Sequence, residues 1–76
     1  MNDINDIQKI FADRLKELIT ENEFKNASAF ALKIDIPAKT IFNWLSCIRT
    51  PQIDSLVKLS LFFGVSVDFL LGLKEM

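Results

Sequence analysis

The sequence predicts an all-α domain of five helices, on three observations. Apolar residues recur at spacings of three and four from Ile7 to Ile19, which is the period of an amphipathic helix. Residues that favour helix ends follow at intervals along the rest of the chain, at Asn26, Pro37 and Gly64. No strand pattern, repeat or low-complexity segment appears in the sequence.

Local signals bound the first three helices. The apolar stripe predicts a first helix over residues 6–21. Asn26 can cap a short second helix that ends near Ile34. Pro37 suits the first turn of a third helix, about 37–46, because its missing N–H would have no intrahelical partner there.

Glycine and serine bound the last two helices. A fourth helix is predicted over residues 53–63, closed by Gly64 in the left-handed conformation. A last helix over residues 66–71 would be capped by Ser66 and ended by Gly72.

Length and composition limit the class of protein. Seventy-six residues, half of them apolar, suffice for one domain with a core, so we expect a single domain over residues 1–76. No apolar run approaches the length of a membrane span, and the N-terminus lacks the apolar stretch of a secretory signal. The single Cys47 cannot form an internal disulfide, which suits the reducing cytoplasm. With no histidine, no glycine-rich phosphate loop and no cluster of metal ligands, we expect no enzyme, no cofactor and no metal.

Charge is distributed unevenly along the chain. The net charge is −1, but residues 25–50 carry four basic side chains and one acidic one, for a local charge of +3. The basic residues are Lys25, Lys33, Lys39 and Arg49. Such a segment is typical of a local nucleic-acid footprint, although a chance cluster gives the same pattern.

Residues 27–46 have the pattern of two short helices that meet at a sharp turn. Ala31 and Ile41 would lie at the crossing, where a small residue allows close approach. Asp35 would occupy the turn, where a positive φ is often needed and is tolerated by Asp less readily than by Gly. This is the pattern of a helix-turn-helix, whose second helix can enter the major groove of DNA.

Four motifs stand in a characteristic order: FADRLKELI in the first helix, Ala31 and Ile34 with Asp35, TIFNW in the third helix, and RTPQIDSLVKLSLFFGVSVDFLLG after it. By these motifs the chain resembles the Cro/C1-type (XRE-like) helix-turn-helix family of phage and bacterial repressors, over about residues 11–73. The resemblance implies a compact five-helix, lambda-repressor-like DNA-binding domain. It also implies that the partner is an operator in double-stranded DNA, bound by a homodimer.

The resemblance places the base contacts on the third helix, at Ala38, Lys39, Phe42 and Asn43. A lysine can donate to guanine O6 and N7, an asparagine can pair with adenine, and an alanine can touch a thymine methyl group. The alternative is that the lysine and the asparagine are ordinary exposed helix residues. Phe42 could instead fold back onto the domain or mark a protein-binding surface.

Phosphate contacts would come from the second helix's N-terminus and from the loop after the third helix. At the former, the backbone N–H groups of Ala27 and Ser28 point outward with the positive end of the helix dipole. Side-chain contributions would come from Lys25, Thr40, Ser46, Arg49 and Thr50. Such contacts fix position and read no sequence. The alternative is that each of these residues is ordinary polar surface in contact with water.

The chain departs from the family at four positions, each of which weakens DNA binding rather than the fold. Ala27 replaces a common Gln, Leu45 a common acid, and Ile48 a common lysine. Cys47 stands where a glycine is expected, so a positive φ there would cost about 1–2 kcal/mol.

The fourth helix is apolar on almost every side, which predicts either full burial or cover by a partner. We therefore expect a dimer surface formed by this helix and the last one. Its residues would be Leu61, Phe62, Phe69, Leu70 and Leu73. The alternative is that these side chains fill the single core.

Together these observations favour a sequence-specific DNA-binding transcriptional regulator, with repression as the expected direction. The alternative is a helix-turn-helix domain adapted to protein–protein interaction, or a partner-dependent regulator with weak DNA binding. Phe42, Leu45, Ile48 and the acidic overall balance favour that alternative.

Overall fold

Five α-helices follow one another along residues 4–73, the part of the chain that this computed structural model describes. They are α1 (Ile4–Glu21), α2 (Ala27–Ile34), α3 (Ala38–Leu45), α4 (Ile53–Phe63) and α5 (Val67–Leu70). No strand occurs among these residues, so the all-α prediction is confirmed. Nor is any helix in this part of the chain long and apolar enough to cross a membrane.

The residues expected to cap helices do so in three places. Asn26 precedes α2, and its side-chain oxygen accepts a hydrogen bond from the Ala29 N–H at 2.8 Å. Gly64 closes α4 with a φ of 69°. Ser66 precedes α5, and its hydroxyl oxygen accepts from the Phe69 N–H at 3.0 Å.

Two helices are shorter than the sequence indicated, and one is longer. Pro37 lies just before α3 and caps it with its carbonyl, which accepts from the Ile41 N–H at 3.2 Å, instead of forming the first turn. α5 has four residues because Ser66 acts as its cap and the chain turns after Leu70. α1 begins two residues earlier than expected, at Ile4.

The core is built around α1, which packs against both α3 and α5. α2 packs against α3, and α4 against α5. Burying each large apolar side chain stabilises such a fold by about 1.5–3 kcal/mol. The largest fully buried side chains are Phe11, Leu15, Phe30, Ile41, Leu59 and Leu70.

Phe30 of α2 lies at the centre of an aromatic cluster. Its ring stacks on Phe63 at 5.2 Å between centroids, and meets Phe24 edge-on at 5.4 Å and Phe62 edge-on at 5.7 Å. Such pairs add about 0.5–1.5 kcal/mol beyond the burial of their area. The cluster holds α2 against α4 and against the connector that follows α1.

Candidate nucleic-acid interface

The turn between α2 and α3 has the geometry that the sequence predicts. Asp35 has a φ of 62° and a ψ of 46°, in the left-handed region, and its N–H donates to the Ala31 carbonyl. The Ile36 N–H donates to the same carbonyl at 3.2 Å. Ala31 and Ile41 are both buried where the two helices meet. The predicted positions of Ala31 and Ile41 at the helix crossing, and of Asp35 in the turn, are therefore confirmed.

α3 has one buried face and one open face. Ile41 and Trp44 lie in the core, and Trp44 packs edge-on against Phe11 with ring centroids 6.0 Å apart. Lys39 and Phe42 are exposed on the helix. Phe42 is 48% exposed, so it does not fold back into the core. The face turned away from Ile41 and Trp44 is therefore free to meet a partner.

The other two candidate base-contacting residues on α3 are less open. Ala38 and Asn43 are half-buried. Lys39 and Asn43, four residues apart, share one side of the helix, which puts both side chains within reach of one groove.

A polar depression of about 660 Å³ lies beside α3. It gathers four of the candidate DNA-contacting residues, which come from α3 and from the loop after it: Thr40, Asn43, Arg49 and Thr50. The depression is open to solvent and lined mainly by polar groups, which suits a charged, hydrated ligand such as a phosphate.

Three further polar residues line this depression that sequence reasoning did not single out. Gln8 comes from α1, Gln52 from the residue before α4, and Ser55 from its first turn. Only the packing of α1 beside α3 brings Gln8 there, so no local signal could have indicated it. Gln52 and Ser55 could have been suspected, because the N-terminus of α4 directly follows the loop with Arg49 and Thr50.

The N-terminus of α2 forms a separate polar region. Lys25 and Ser28 are exposed, and Ala27 is half-buried. Because the Asn26 side chain accepts from Ala29, the N–H groups of Ala27 and Ser28 remain at the open end of the helix, where an intrahelical partner does not exist. Helix N-termini of this kind favour anions, because the positive end of the helix dipole lies there.

The loop after α3 is held by backbone hydrogen bonds to the end of that helix. The Asn43 carbonyl accepts from the Ile48 N–H at 2.9 Å and from the Arg49 N–H at 3.3 Å. Ser46, Arg49 and Thr50 are all exposed. This arrangement places Arg49 beside Asn43, although they are six positions apart in the sequence.

Cys47 lies in this turn with a φ of 60°, which is the left-handed conformation expected of the glycine that it replaces. Its thiol is free and exposed. The left-handed conformation costs a residue with a Cβ about 1–2 kcal/mol.

The expected dimer surface divides into exposed and buried residues. Leu61 and Leu73 are largely exposed, and Phe62 is partly so. Leu70 is fully buried, so its assignment to a dimer surface was wrong: α5 turns this side chain into the core. Phe69 is half-buried against the core beneath Arg14.

Two other residues of α4 extend the exposed part of that surface. Ile53 and Val57 are exposed and precede Leu61 at intervals of four residues, which places all three on one side of the helix. Unlike Phe63 and Leu56, which pack against the core, these three side chains face solvent.

No group of three or more histidine, cysteine, aspartate or glutamate side chains among the described residues could hold a metal ion. A scan against protein-family models found no match for this chain, and neither did searches of curated proteins and of solved structures.

Proposed function

We propose that this chain is a sequence-specific DNA-binding transcriptional regulator of the Cro/C1 type, acting as a repressor. The observation that carries the proposal is the grouping of Thr40 and Asn43 of α3 with Arg49 and Thr50 around one polar depression. This grouping lies in the segment whose local charge is +3 and continues the open face of α3. A helix presented in this way, flanked by hydrogen-bond donors, suits the major groove and the phosphates on its edge.

Within this proposal α3 enters the major groove of the operator, and its side chains make two kinds of contact with the bases. Lys39 and Asn43 read base edges, while Ala38 and Phe42 make apolar contacts with thymine methyl groups. Backbone phosphates are held by the α2 N-terminus and by polar side chains around it and around the loop: Lys25, Thr40, Ser46, Arg49 and Thr50. The two regions lie at the N-terminus of α2 and the C-terminus of α3, so they would fix the angle of α3 in the groove.

The proposed regulator acts as a homodimer, because a two-fold-related operator doubles the contacts of one small domain. The exposed side of α4, with Ile53, Val57, Leu61 and Phe62, together with Leu73, offers the apolar surface for this association. Sedimentation at tens of micromolar protein tests this association by measuring the oligomeric state. We expect a dimer that Leu61→Glu converts to a monomer and that Thr20→Glu, an exposed change on α1, leaves intact. A monomer in the unaltered protein would remove the basis for this surface.

The experiment that tests DNA binding is selection from a randomised duplex pool at low salt, followed by titration of the selected sequence against rising salt. We expect a consensus with two-fold symmetry. Log affinity should then fall with log salt by about 0.9 for each neutralised phosphate. Failure to enrich any sequence, or binding that shows no preference and vanishes at physiological salt, would contradict the proposal.

A second candidate function is protein binding through the same face. Two large apolar side chains are exposed there, Phe42 on α3 at 48% and Ile48 in the loop after it at 68%. A large area of exposed apolar surface commonly marks an interaction site. If the selection fails while Phe42→Ala abolishes a protein interaction that Thr20→Ala preserves, this second function replaces the first.

A further inference from the structure

An apolar cavity of about 260 Å³ adjoins the polar depression. It lies where α1, the loop after α3, α4 and the chain after α5 meet. Its walls are the side chains of Ile7, Phe11, Pro51, Leu56 and Leu71. The cavity is partly open to solvent and lined mainly by apolar atoms, which is the usual character of a small-molecule pocket.

Few polar groups line this cavity. They belong to Gln8, Arg49 and Thr50, and the same three residues also line the polar depression. Arg49 is exposed, and its guanidinium has no hydrogen-bond or ion-pair partner among the described residues. One cationic residue therefore lines both the apolar cavity and the candidate phosphate site.

We propose that this cavity binds a small monocarboxylate with an apolar body. The apolar body would lie against Phe11, Leu56 and Leu71, and the carboxylate would pair with Arg49 at the rim. A planar guanidinium matches a carboxylate through two parallel hydrogen bonds, which favours an acid over a neutral apolar compound. The volume falls below the range of about 300–1,000 Å³ for drug-sized ligands, so the ligand is smaller than those.

The regulatory consequence rests on the proposed function. The Arg49 guanidinium cannot pair fully with a ligand carboxylate and with a DNA phosphate at the same time. Bound ligand would therefore weaken operator binding, and by linkage the operator would weaken ligand binding to the same degree. Such a ligand would act as an inducer of a repressor that has no separate sensing domain within these 76 residues.

The binding test uses octanoate on the purified full chain without DNA, followed by methyl and amide NMR. 1-Octanol serves as a probe with the same body and no charge, and acetate as a probe with the charge and almost no body. We expect saturable shifts at Ile7, Leu56 and Leu71 with octanoate, weaker binding of 1-octanol, and none of acetate. Shifts confined to Ile53, Val57 and Leu61 would overturn the site, because they would place octanoate on the exposed side of α4.

Two variants test the role of the rim. Arg49→Ala, at an exposed position that leaves the core intact, should weaken octanoate binding about fivefold and leave 1-octanol unchanged. Lys33→Ala removes another exposed cation, on α2 and away from the cavity. It should change the affinity for neither octanoate nor 1-octanol. Equal octanoate affinity in Arg49→Ala and in the unaltered protein would overturn the pairing.

A competition experiment separates this inference from the proposed function. Octanoate should lower the affinity of the unaltered protein for its selected operator, and acetate at the same concentration should not. If octanoate binds in the cavity but operator affinity is unchanged, the regulatory consequence fails and the site stands. If no operator can be selected, the binding test without DNA still decides whether the cavity takes the acid.

Discussion

The guanidinium of Arg14 lies over the ring of Phe69, 4.3 Å from its centroid, and donates a hydrogen bond to the Phe69 carbonyl. This pair joins the middle of α1 to α5. A helix of four residues is far too short to be stable alone, because helix nucleation is costly. α5 therefore depends on such contacts, on the Ser66 cap and on the burial of Leu70.

Replacement of Arg14 by methionine should destabilise the fold by about 1–2 kcal/mol, since it removes the cation over the ring and a charged donor while keeping the apolar stem. Urea unfolding followed by circular dichroism measures the change. Lys16→Met on the exposed side of α1 is the matched control and should change stability by less than about 0.5 kcal/mol. Equal effects of the two changes would show that the contact with Phe69 contributes nothing.

Lys39 tests base reading on the open face of α3. Lys39→Ala should weaken binding to the selected operator by about 1–3 kcal/mol and relax the preference at one base position. Lys33→Ala lowers the net charge equally from an exposed position on α2, so it serves as the control. Titrations against the operator and against its single-base variants measure both the loss of affinity and the change in base preference. A loss that is the same for every sequence would make Lys39 a phosphate contact instead.

Arg49 tests phosphate binding in the loop after α3. Arg49→Ala should weaken binding evenly across sequences and reduce the slope of log affinity against log salt by about 0.9, because one fewer counterion is released. Affinities measured at several salt concentrations, on the operator and on an unrelated duplex, check this. An unchanged slope would exclude Arg49 from the backbone contacts.

Cys47 tests the strain in the same loop. Its φ of 60° suits glycine, so Cys47→Gly should stabilise the domain by about 1 kcal/mol after allowing for the added freedom of the unfolded chain. Cys47→Ser keeps a Cβ and the strained conformation, and should leave stability nearly unchanged. Thermal and urea unfolding of the three proteins provide the comparison. Destabilisation by glycine would mean that the left-handed turn costs cysteine little here.

Sequence reasoning succeeded where the structure depends on local chemistry. Asn26 and Gly64 set the ends of α2 and α4 because capping and left-handed termination need only neighbouring residues. Asp35 was predictable in the same way. Glu23 also has a positive φ, of 64°, and was missed because a glutamate gives no signal for that conformation.

The sequence could not assign features that depend on how helices pack. In α5, four residues are too few for an apolar period, so nothing local separates the buried Leu70 from a surface residue. The apolar cavity next to Arg49 requires α1, α4 and the last turn to be placed together. The residues of the candidate interface were found by resemblance to a family, and their grouping around one depression became visible only in three dimensions.

The position of Phe30 has a consequence for how the domain opens. Its ring contacts the connector through Phe24, and α4 through Phe62 and Phe63. α2 therefore cannot detach without breaking the aromatic cluster, so we expect its hydrogen-bonded amide protons to exchange with solvent more slowly than the open N–H groups of Ala27 and Ser28. A DNA partner of the candidate interface would thus meet a helix that is already ordered before the partner arrives.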